Sequence, residues 1–134
     1  MHPHPTIVFV CEHGAAKSIL AAAYFNKMAN KAGLDITAIA RGTNPDLELS
    51  EQTIKGLSED GLEPTDSTPQ KLSLQEVQSA QRIVSFCELP AECKEIAIVE
   101  QWHGIPAVSE NYDKARDVII ERLNQFINQI RSSL

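Results

Sequence analysis

The sequence has fewer basic than acidic residues, few cysteines and no long hydrophobic run. Each of these features excludes a class of partner, a membrane span or a cellular compartment. Its 134 residues hold 12 lysines and arginines against 18 acidic residues, for a net charge of −6, which argues against nucleic acid or an acidic membrane as a partner. No apolar stretch approaches about twenty residues, so no membrane span is expected. The three cysteines lack paired spacing, which is typical of a reducing compartment and favours a cytoplasmic location.

The composition suits one compact domain that spans residues 1–134. Hydrophobic residues make up 43% and charged residues 22% of the chain, which is enough for a real core. Residues 1–5 lack the charged and apolar regions of a signal peptide, and we expect a loose tail there. His2 and His4 lie in this tail, where histidines are usually solvated and do not bind a metal, so no metal is expected.

Strands and helices are predicted to alternate along the chain without a repeat or a linker. Apolar runs predict strands at Thr6–Cys11, Ile36–Ala40, Arg82–Cys87 and Ile96–Val99. Periodicity and capping residues predict helices at about 18–32, from Ser50 to Gly61, after the capping box Ser73-Leu74-Gln75-Glu76, and at about 111–131. This alternation predicts an α/β fold of the flavodoxin-like type, a three-layer sandwich with helices on both faces of a four-stranded parallel sheet in the order 2-1-3-4.

The segment that joins the first strand to the first helix predicts an anion-binding loop around a thiol; it reads Cys11-Glu12-His13-Gly14-Ala15-Ala16-Lys17-Ser18. The first turn of a helix has unpaired N–H groups and a partial positive charge, which stabilise an oxyanion. Gly14 permits a positive φ, Lys17 adds a full charge, and Ser18 can either cap the helix or donate its hydroxyl to the thiolate. The same field favours Cys11 as a thiolate, the form that acts as a nucleophile.

The residues of this loop allow two other interpretations. An ATP-binding P-loop also closes on Lys-Ser, but its two glycine positions here hold Cys11 and Ala16, which argues against nucleotide binding. The structural alternative is a buried cysteine at a strand end beside an ordinary turn. The combination of the thiol with Lys17 and Ser18 at a strand-to-helix junction favours the anion-binding interpretation.

The chain resembles the low-molecular-weight protein tyrosine phosphatase superfamily, which includes the thioredoxin-coupled arsenate reductases. The resemblance runs from about Thr6 to the final helix, and its most specific parts are Ile7-Val8-Phe9-Val10-Cys11, Lys17-Ser18 and Arg41-Gly42-Thr43-Asn44-Pro45. It implies a four-stranded parallel sheet, with Cys11 as the nucleophile that forms a thiophosphate or thioarsenate intermediate. It implies no cofactor, apart from thioredoxin or another thiol reductant for an arsenate reductase.

Two departures from the family pattern concern catalysis. Lys17 stands where the family has an arginine, and a point charge on a flexible stem positions an oxyanion less well than a planar fork. Ile105 stands before Pro106 where the family has an aspartate that protonates the leaving oxygen. His103 and Glu110, on the same loop, are the candidate replacement acids, although both are also typical of solvated loop positions.

The other two cysteines favour redox chemistry. Cys87 ends the third strand and Cys93 follows six residues later. In the predicted strand order Cys87 and Cys11 lie at the same carboxyl edge, and strands about 4.8 Å apart bring thiols near disulfide range. The arsenate reductases of the superfamily pass oxidation through three cysteines at comparable places. The alternative is that Cys87 and Cys93 are buried core residues.

These observations leave three functions open. The first is a thiol-dependent arsenate reductase that uses Cys11, Lys17, Cys87 and Cys93. The second is a tyrosine or aryl phosphomonoester phosphatase that uses Cys11, Lys17 and a substitute acid, and the third is a weakly catalytic module that binds phosphate or a phosphoprotein. We expect a monomer whose partners are a small oxyanion or a phosphorylated substrate, and thioredoxin in the first case.

Overall fold

The computed structural model describes residues 6–133, so the tail predicted at residues 1–5 lies outside the described residues. Four strands and five helices alternate along these residues. The strands are β1 (Thr6–Cys11), β2 (Thr37–Gly42), β3 (Arg82–Ser85) and β4 (Val99–Gln101). The helices are α1 (Lys17–Lys31), α2 (Glu51–Glu59), α3 (Leu74–Ser79), α4 (Ala91–Ile96) and α5 (Tyr112–Ser132). No helix in residues 6–133 is long and apolar enough to cross a membrane.

The predicted fold is confirmed: the four strands pair in parallel in the order β2-β1-β3-β4. Side chains alternate across the sheet, so that Phe9 and Val84 join a large apolar cluster with α1 and α5, whereas Val10 and Ile83 join a smaller one with α3 and α4. The sheet therefore lies between two helical layers, with one apolar cluster on each of its faces. Because β1 is central and buried on both faces, its carboxyl end holds Cys11 rigidly at the middle of the sheet edge.

The region around β4 differs from the prediction. The strand predicted at Ile96–Val99 is wrong, because residues Ala91–Ile96 form α4 and β4 begins only at Val99. Ala91, Glu92 and Lys94 are good helix formers after Pro90, and Ile98 is 94% exposed rather than part of a buried strand. Strand β3 also ends two residues earlier than predicted, since the Ser85 side chain bonds both the N–H and the carbonyl of Cys87.

Candidate active site

The loop of residues 12–16 connects β1 to α1 and is held open by a second loop that follows β2. Four carbonyl groups, that of Cys11 and those of three loop residues, accept hydrogen bonds from backbone N–H groups of the second loop. The pairs are Cys11 O with Thr43 N (3.2 Å), Glu12 O with Asn44 N (2.8 Å), His13 O with Asp46 N (3.0 Å) and Ala15 O with Ser50 N (2.9 Å). These bonds turn the carbonyl oxygens toward the second loop.

The backbone N–H groups of residues 12–18 face no such partner. Within residues 6–133, no protein acceptor receives a hydrogen bond from any of them. Because buried or half-buried amides almost always have a partner, a run of unpaired donors at the head of a helix is the arrangement expected of an anion cradle. The predicted substrate-binding loop therefore has the donors that an oxyanion needs.

Two glycines allow the two loops to approach closely. Gly14 has a φ of +62°, as predicted, and its neighbour across the gap is Gly42. A Cβ atom on Gly42 would lie 2.8 Å from the Gly14 nitrogen and 3.0 Å from its Cα. Since both contacts are with backbone, neither could be relieved by rotating a side chain.

Cys11, which is 8% exposed, lies at the base of this cradle. Its nearest hydrogen-bond partner is the Ser18 hydroxyl, with Sγ and Oγ 3.0 Å apart. Ser18 does not cap α1, whose N-cap is Ala16 without a side-chain hydrogen bond; it is the second helical residue and is fully buried. Of the two roles expected for Ser18, contact with the thiol is the one observed.

A pocket of about 340 Å³ opens above the thiol. Seven residues that the sequence singled out line it, namely Cys11, Glu12, His13, Ala15, Ala16, Lys17 and Cys87. Gly14 and Ser18 support the loop from behind without lining the pocket. Sequence reasoning missed Asp46, Ser50, Phe86, Ala107, Val108 and Ser109, which complete the wall. Asp46 directly follows the segment Arg41–Pro45 that carried the resemblance, and this adjacency was the one available signal.

Charged groups surround the mouth of the pocket. Lys17 has no ion pair within residues 6–133, so its positive charge is available to a bound anion. His13 lies between two exposed carboxylates, with Nδ1 3.1 Å from Asp46 Oδ1 and Nε2 3.7 Å from Glu12 Oε2. Lys17 is thus a half-buried cation of the pocket lining, whereas the Glu12 and Asp46 carboxylates that also line the pocket are more than half exposed.

Arg41 does not replace the arginine that the family has at the position of Lys17. Its Nε lies 2.7 Å from Glu76 Oε2 and its Nη1 lies 3.2 Å from Asp66 Oδ2, so the guanidinium is paired with two carboxylates. This pairing holds the end of β2 against α3, which contains Glu76. Lys17 is therefore the cation that the pocket offers.

The two remaining thiols lie at different depths. Cys87 is half-buried and lines the pocket together with Cys11, while its backbone is fixed by Ser85. Cys93 is 4% exposed and belongs to the apolar cluster of α3 and α4, against which Cys87 also packs. Burial, with a smaller contribution from the neighbouring Glu92 carboxylate, raises the pKa of the Cys93 thiol.

The candidate acids on the loop after β4 do not line the pocket. His103 and Glu110 are exposed, and the loop contributes Ala107, Val108 and Ser109 to the wall instead. Ile105 is 8% exposed and packs in the large apolar cluster. The structure thus brings Cys11, Lys17 and Cys87 to one pocket and leaves His103 and Glu110 outside it. No cluster of metal-ligating side chains occurs in residues 6–133.

A thiol at the end of the central parallel strand, below a loop of unpaired amides at the head of a helix, defines an α/β protein with a cysteine-centred anion cradle. A family model of the low molecular weight phosphotyrosine protein phosphatases matches residues 6–105. The chain belongs to this family, as the resemblance implied.

Solved structures with the same fold come from both enzyme classes of the superfamily. YfkJ from Bacillus subtilis is 17% identical, with 98% of each chain covered and a TM-score of 0.84. An arsenate reductase from Archaeoglobus fulgidus is 25% identical, with 91% of this chain and 98% of that chain covered and a TM-score of 0.70. A low molecular weight phosphotyrosine phosphatase from Vibrio cholerae is 15% identical, with 96% and 98% covered and a TM-score of 0.80.

Proposed function

We propose that the protein is a thiol-dependent arsenate reductase. The observation that carries this proposal is that Cys87 lines the same pocket as Cys11, with Cys93 packed in the apolar cluster that Cys87 also contacts. A phosphatase would need only the first of these thiols. The loop after β4, where the family has its acid, contributes Ala107, Val108 and Ser109 to the pocket and no carboxyl group. This fits the same choice, because hydroxide-level oxygens on arsenic exchange more readily than an ester oxygen leaves phosphorus.

The first step uses the cradle. The loop amides and Lys17 hold arsenate, and the Cys11 thiolate, with the Ser18 hydroxyl beside it, forms a bond to As(V). One arsenate oxygen takes up protons from solvent and leaves as water. The product of this step is an arsenate–cysteine adduct in which arsenic is still pentavalent.

The second and third steps transfer electrons between thiols. The Cys87 thiolate attacks the Cys11 sulfur, the S–As bond breaks with its electron pair on arsenic, and arsenite leaves. Cys93, once deprotonated, attacks Cys87 in the resulting disulfide and releases the Cys11 thiolate. The Cys87–Cys93 disulfide is then reduced with two electrons from an external dithiol such as thioredoxin. Such a cycle places the protein in a reducing, cytoplasmic compartment.

The test is an arsenate assay of the full chain with thioredoxin, thioredoxin reductase and NADPH. We expect NADPH consumption that depends on arsenate and disappears in Cys11→Ser and Cys87→Ser. Cys93→Ser should form one arsenite per protein and then stop with Cys11 and Cys87 oxidised. As a matched control, Thr53→Ala removes a buried hydroxyl that does not line the pocket and should retain turnover. Full turnover by Cys93→Ser would refute the relay.

A second candidate function is an aryl phosphomonoester phosphatase. The half-buried ring of Phe86 and the Val108 side chain give the pocket an apolar wall, and the Asp46 carboxyl lines it as a proton donor that the sequence did not reveal. This function predicts hydrolysis of an aryl phosphate that survives loss of both Cys87 and Cys93 but falls in Asp46→Asn. Phosphate binding without turnover of either substrate would instead select the binding module.

A further inference from the structure

Both thiols of the pocket lie against a fully buried serine. Ser18, Thr53 and Ser85 are the fully buried polar side chains in residues 6–133. Ser18 contacts the Cys11 sulfur at 3.0 Å, and the Ser85 Oγ lies 3.6 Å from the Cys87 sulfur. The Thr53 hydroxyl, in contrast, has no hydrogen-bond partner. A buried hydroxyl is costly to desolvate, so two such groups placed at the two pocket thiols call for a physical role.

In the described part of the chain, all the hydrogen bonds of the Ser85 hydroxyl are with Cys87. Its hydroxyl donates to the Cys87 carbonyl at 2.6 Å, and its oxygen accepts the Cys87 N–H at 3.2 Å. The remaining lone pair faces the Cys87 sulfur, which donates its S–H while it is a thiol. One side chain therefore both ends β3 and fixes the direction of the Cys87 side chain at the pocket wall.

Ionisation of Cys87 changes which hydrogen bonds Ser85 can form with it. A thiolate has no S–H to donate but is a charged acceptor, and the Ser85 hydroxyl hydrogen can rotate from the Cys87 carbonyl to the sulfur. Hydrogen bonds to a charged group are about twice as strong as those between neutral groups, so the rotation favours the thiolate. The carbonyl that loses the hydrogen lies at a half-buried turn.

Within residues 6–133, no charged side chain forms a hydrogen bond with the Cys87 sulfur. Cys11, Glu12, His13, Lys17 and Asp46 share the pocket with Cys87, and on the other side Cys87 packs against apolar side chains and the Cys93 thiol. The adjacent Glu88 is exposed and pairs with Lys94 and Gln101. Ser85 is thus the neutral donor in direct contact with the sulfur.

We propose that Ser85 is a positioning residue for Cys87, which holds the thiol at the pocket wall and stabilises its thiolate for attack on the Cys11 sulfur. The inference rests on the proposed function, because it assigns Ser85 to the second step of the arsenate relay. Its test does not depend on arsenate turnover, however, since the reactivity of the Cys87 thiol can be measured on its own.

The experiment compares alkylation of Cys87 by iodoacetamide in the full-length wild type, Ser85→Ala, Ser85→Thr and Thr53→Ala, resolved by peptide mass spectrometry between pH 6 and 10. In Ser85→Ala we expect the rate near pH 7 to fall about three- to tenfold, the effect of one ordinary hydrogen bond, and the midpoint of the pH profile to move upward. Ser85→Thr, which retains the hydroxyl, should restore the wild-type midpoint. Thr53→Ala removes the partnerless hydroxyl and should behave as the wild type.

Cys93 reports on the fold in the same experiment, because a thiol that is 4% exposed stays unlabelled while the protein is folded. An unchanged midpoint in Ser85→Ala with Cys93 still protected would overturn the proposal. So would faster Cys87 labelling at every pH, since that result means a loosened turn without thiolate stabilisation. If the wild type fails to reduce arsenate but Ser85→Ala shifts the midpoint, the proposed function fails while the contact of Ser85 with the thiolate stands.

Discussion

At the residue scale, the proposed binding of an anion depends on Lys17. It is the cation that lines the pocket, and it begins α1, where the helix dipole adds a partial positive charge. The carboxylates of Glu12 and Asp46 also line the pocket, are more than half exposed, and oppose an approaching anion. Binding therefore depends on the amides and Lys17 together outweighing these two charges.

Replacing Lys17 tests that balance. We expect Lys17→Ala to weaken the binding of inorganic phosphate about tenfold or more, as loss of one hydrogen bond to a charged group predicts. Lys17→Arg should bind at least as tightly as the wild type, because the guanidinium fork contacts two oxygens. Isothermal titration calorimetry measures both. Lys31→Ala, at the exposed far end of α1, is the matched control, and equal binding by Lys17→Ala and this control would contradict the prediction.

Ile105 shows why the departure from the family acid cannot be reversed by one substitution. Its side chain packs in the large apolar cluster and does not line the pocket. We expect Ile105→Asp to lower the free energy of unfolding by about 2–5 kcal/mol, because it exchanges buried apolar area for a buried carboxyl. Aryl phosphate hydrolysis should not rise. Urea denaturation and a p-nitrophenyl phosphate assay measure the two effects, and increased hydrolysis would show that residue 105 can reach the substrate.

At the scale of elements, the site depends on the contact between the β1–α1 loop and the loop after β2. Gly42→Ala would place a Cβ atom 2.8 Å from the Gly14 nitrogen. The two loops must then separate, and the hydrogen bonds that join them must lengthen. We expect Gly42→Ala to lose phosphate binding in calorimetry and to have a lower melting temperature than the wild type. Gly61→Ala, whose Cβ meets no atom within 4 Å, is destabilised through its positive φ but should still bind phosphate. Wild-type affinity in Gly42→Ala would contradict this account.

The sequence predicted the parts of the site that local pattern determines. The apolar run of β1, the loop with Gly14, and the helix start are contiguous, so Cys11, Lys17 and the amides could be located from residues 6–18 alone. The capping box at Ser73 was likewise read correctly, since Ser73 and Glu76 exchange both hydrogen bonds. The strand order followed from short connections and the parallel crossovers.

Residues brought in by tertiary contacts were missed. Asp46 reaches the pocket because its own N–H bonds His13 O, and Ala107–Ser109 reach it by the packing of Val108 in the core. No periodic pattern in the sequence reveals either contact. The helix α4 was missed for another reason: six residues are too few to show helical periodicity, and the apolar pair Ile96 and Ile98 imitates a strand.

At the scale of the whole molecule, one half-buried carboxylate that does not line the pocket joins three helices. Asp60, at the end of α2, accepts hydrogen bonds from Tyr24 of α1 (2.5 Å) and Tyr112 of α5 (2.9 Å) and pairs with Arg116 of α5 (3.3 Å). Burial alone would raise the pKa of Asp60, but the tyrosine hydrogen bonds and the Arg116 charge outweigh it and lower the pKa below its usual value of 3.8.

This lowered pKa links Asp60 to acid stability. A carboxyl with a lower pKa in the folded state contributes stability that is fully present above the unfolded value and is lost as the pH falls through the folded value. We expect Asp60→Asn to lower the free energy of unfolding by about 1–3 kcal/mol at pH 7, and the difference from the wild type to shrink below about pH 4. Urea denaturation at pH 7, 5 and 3 measures it, with Asp117→Asn as the control, because the Asp117 carboxylate is 67% exposed and pairs with the same Arg116. A difference that is constant with pH would mean that Asp60 contributes through shape and hydrogen bonding alone, without its charge.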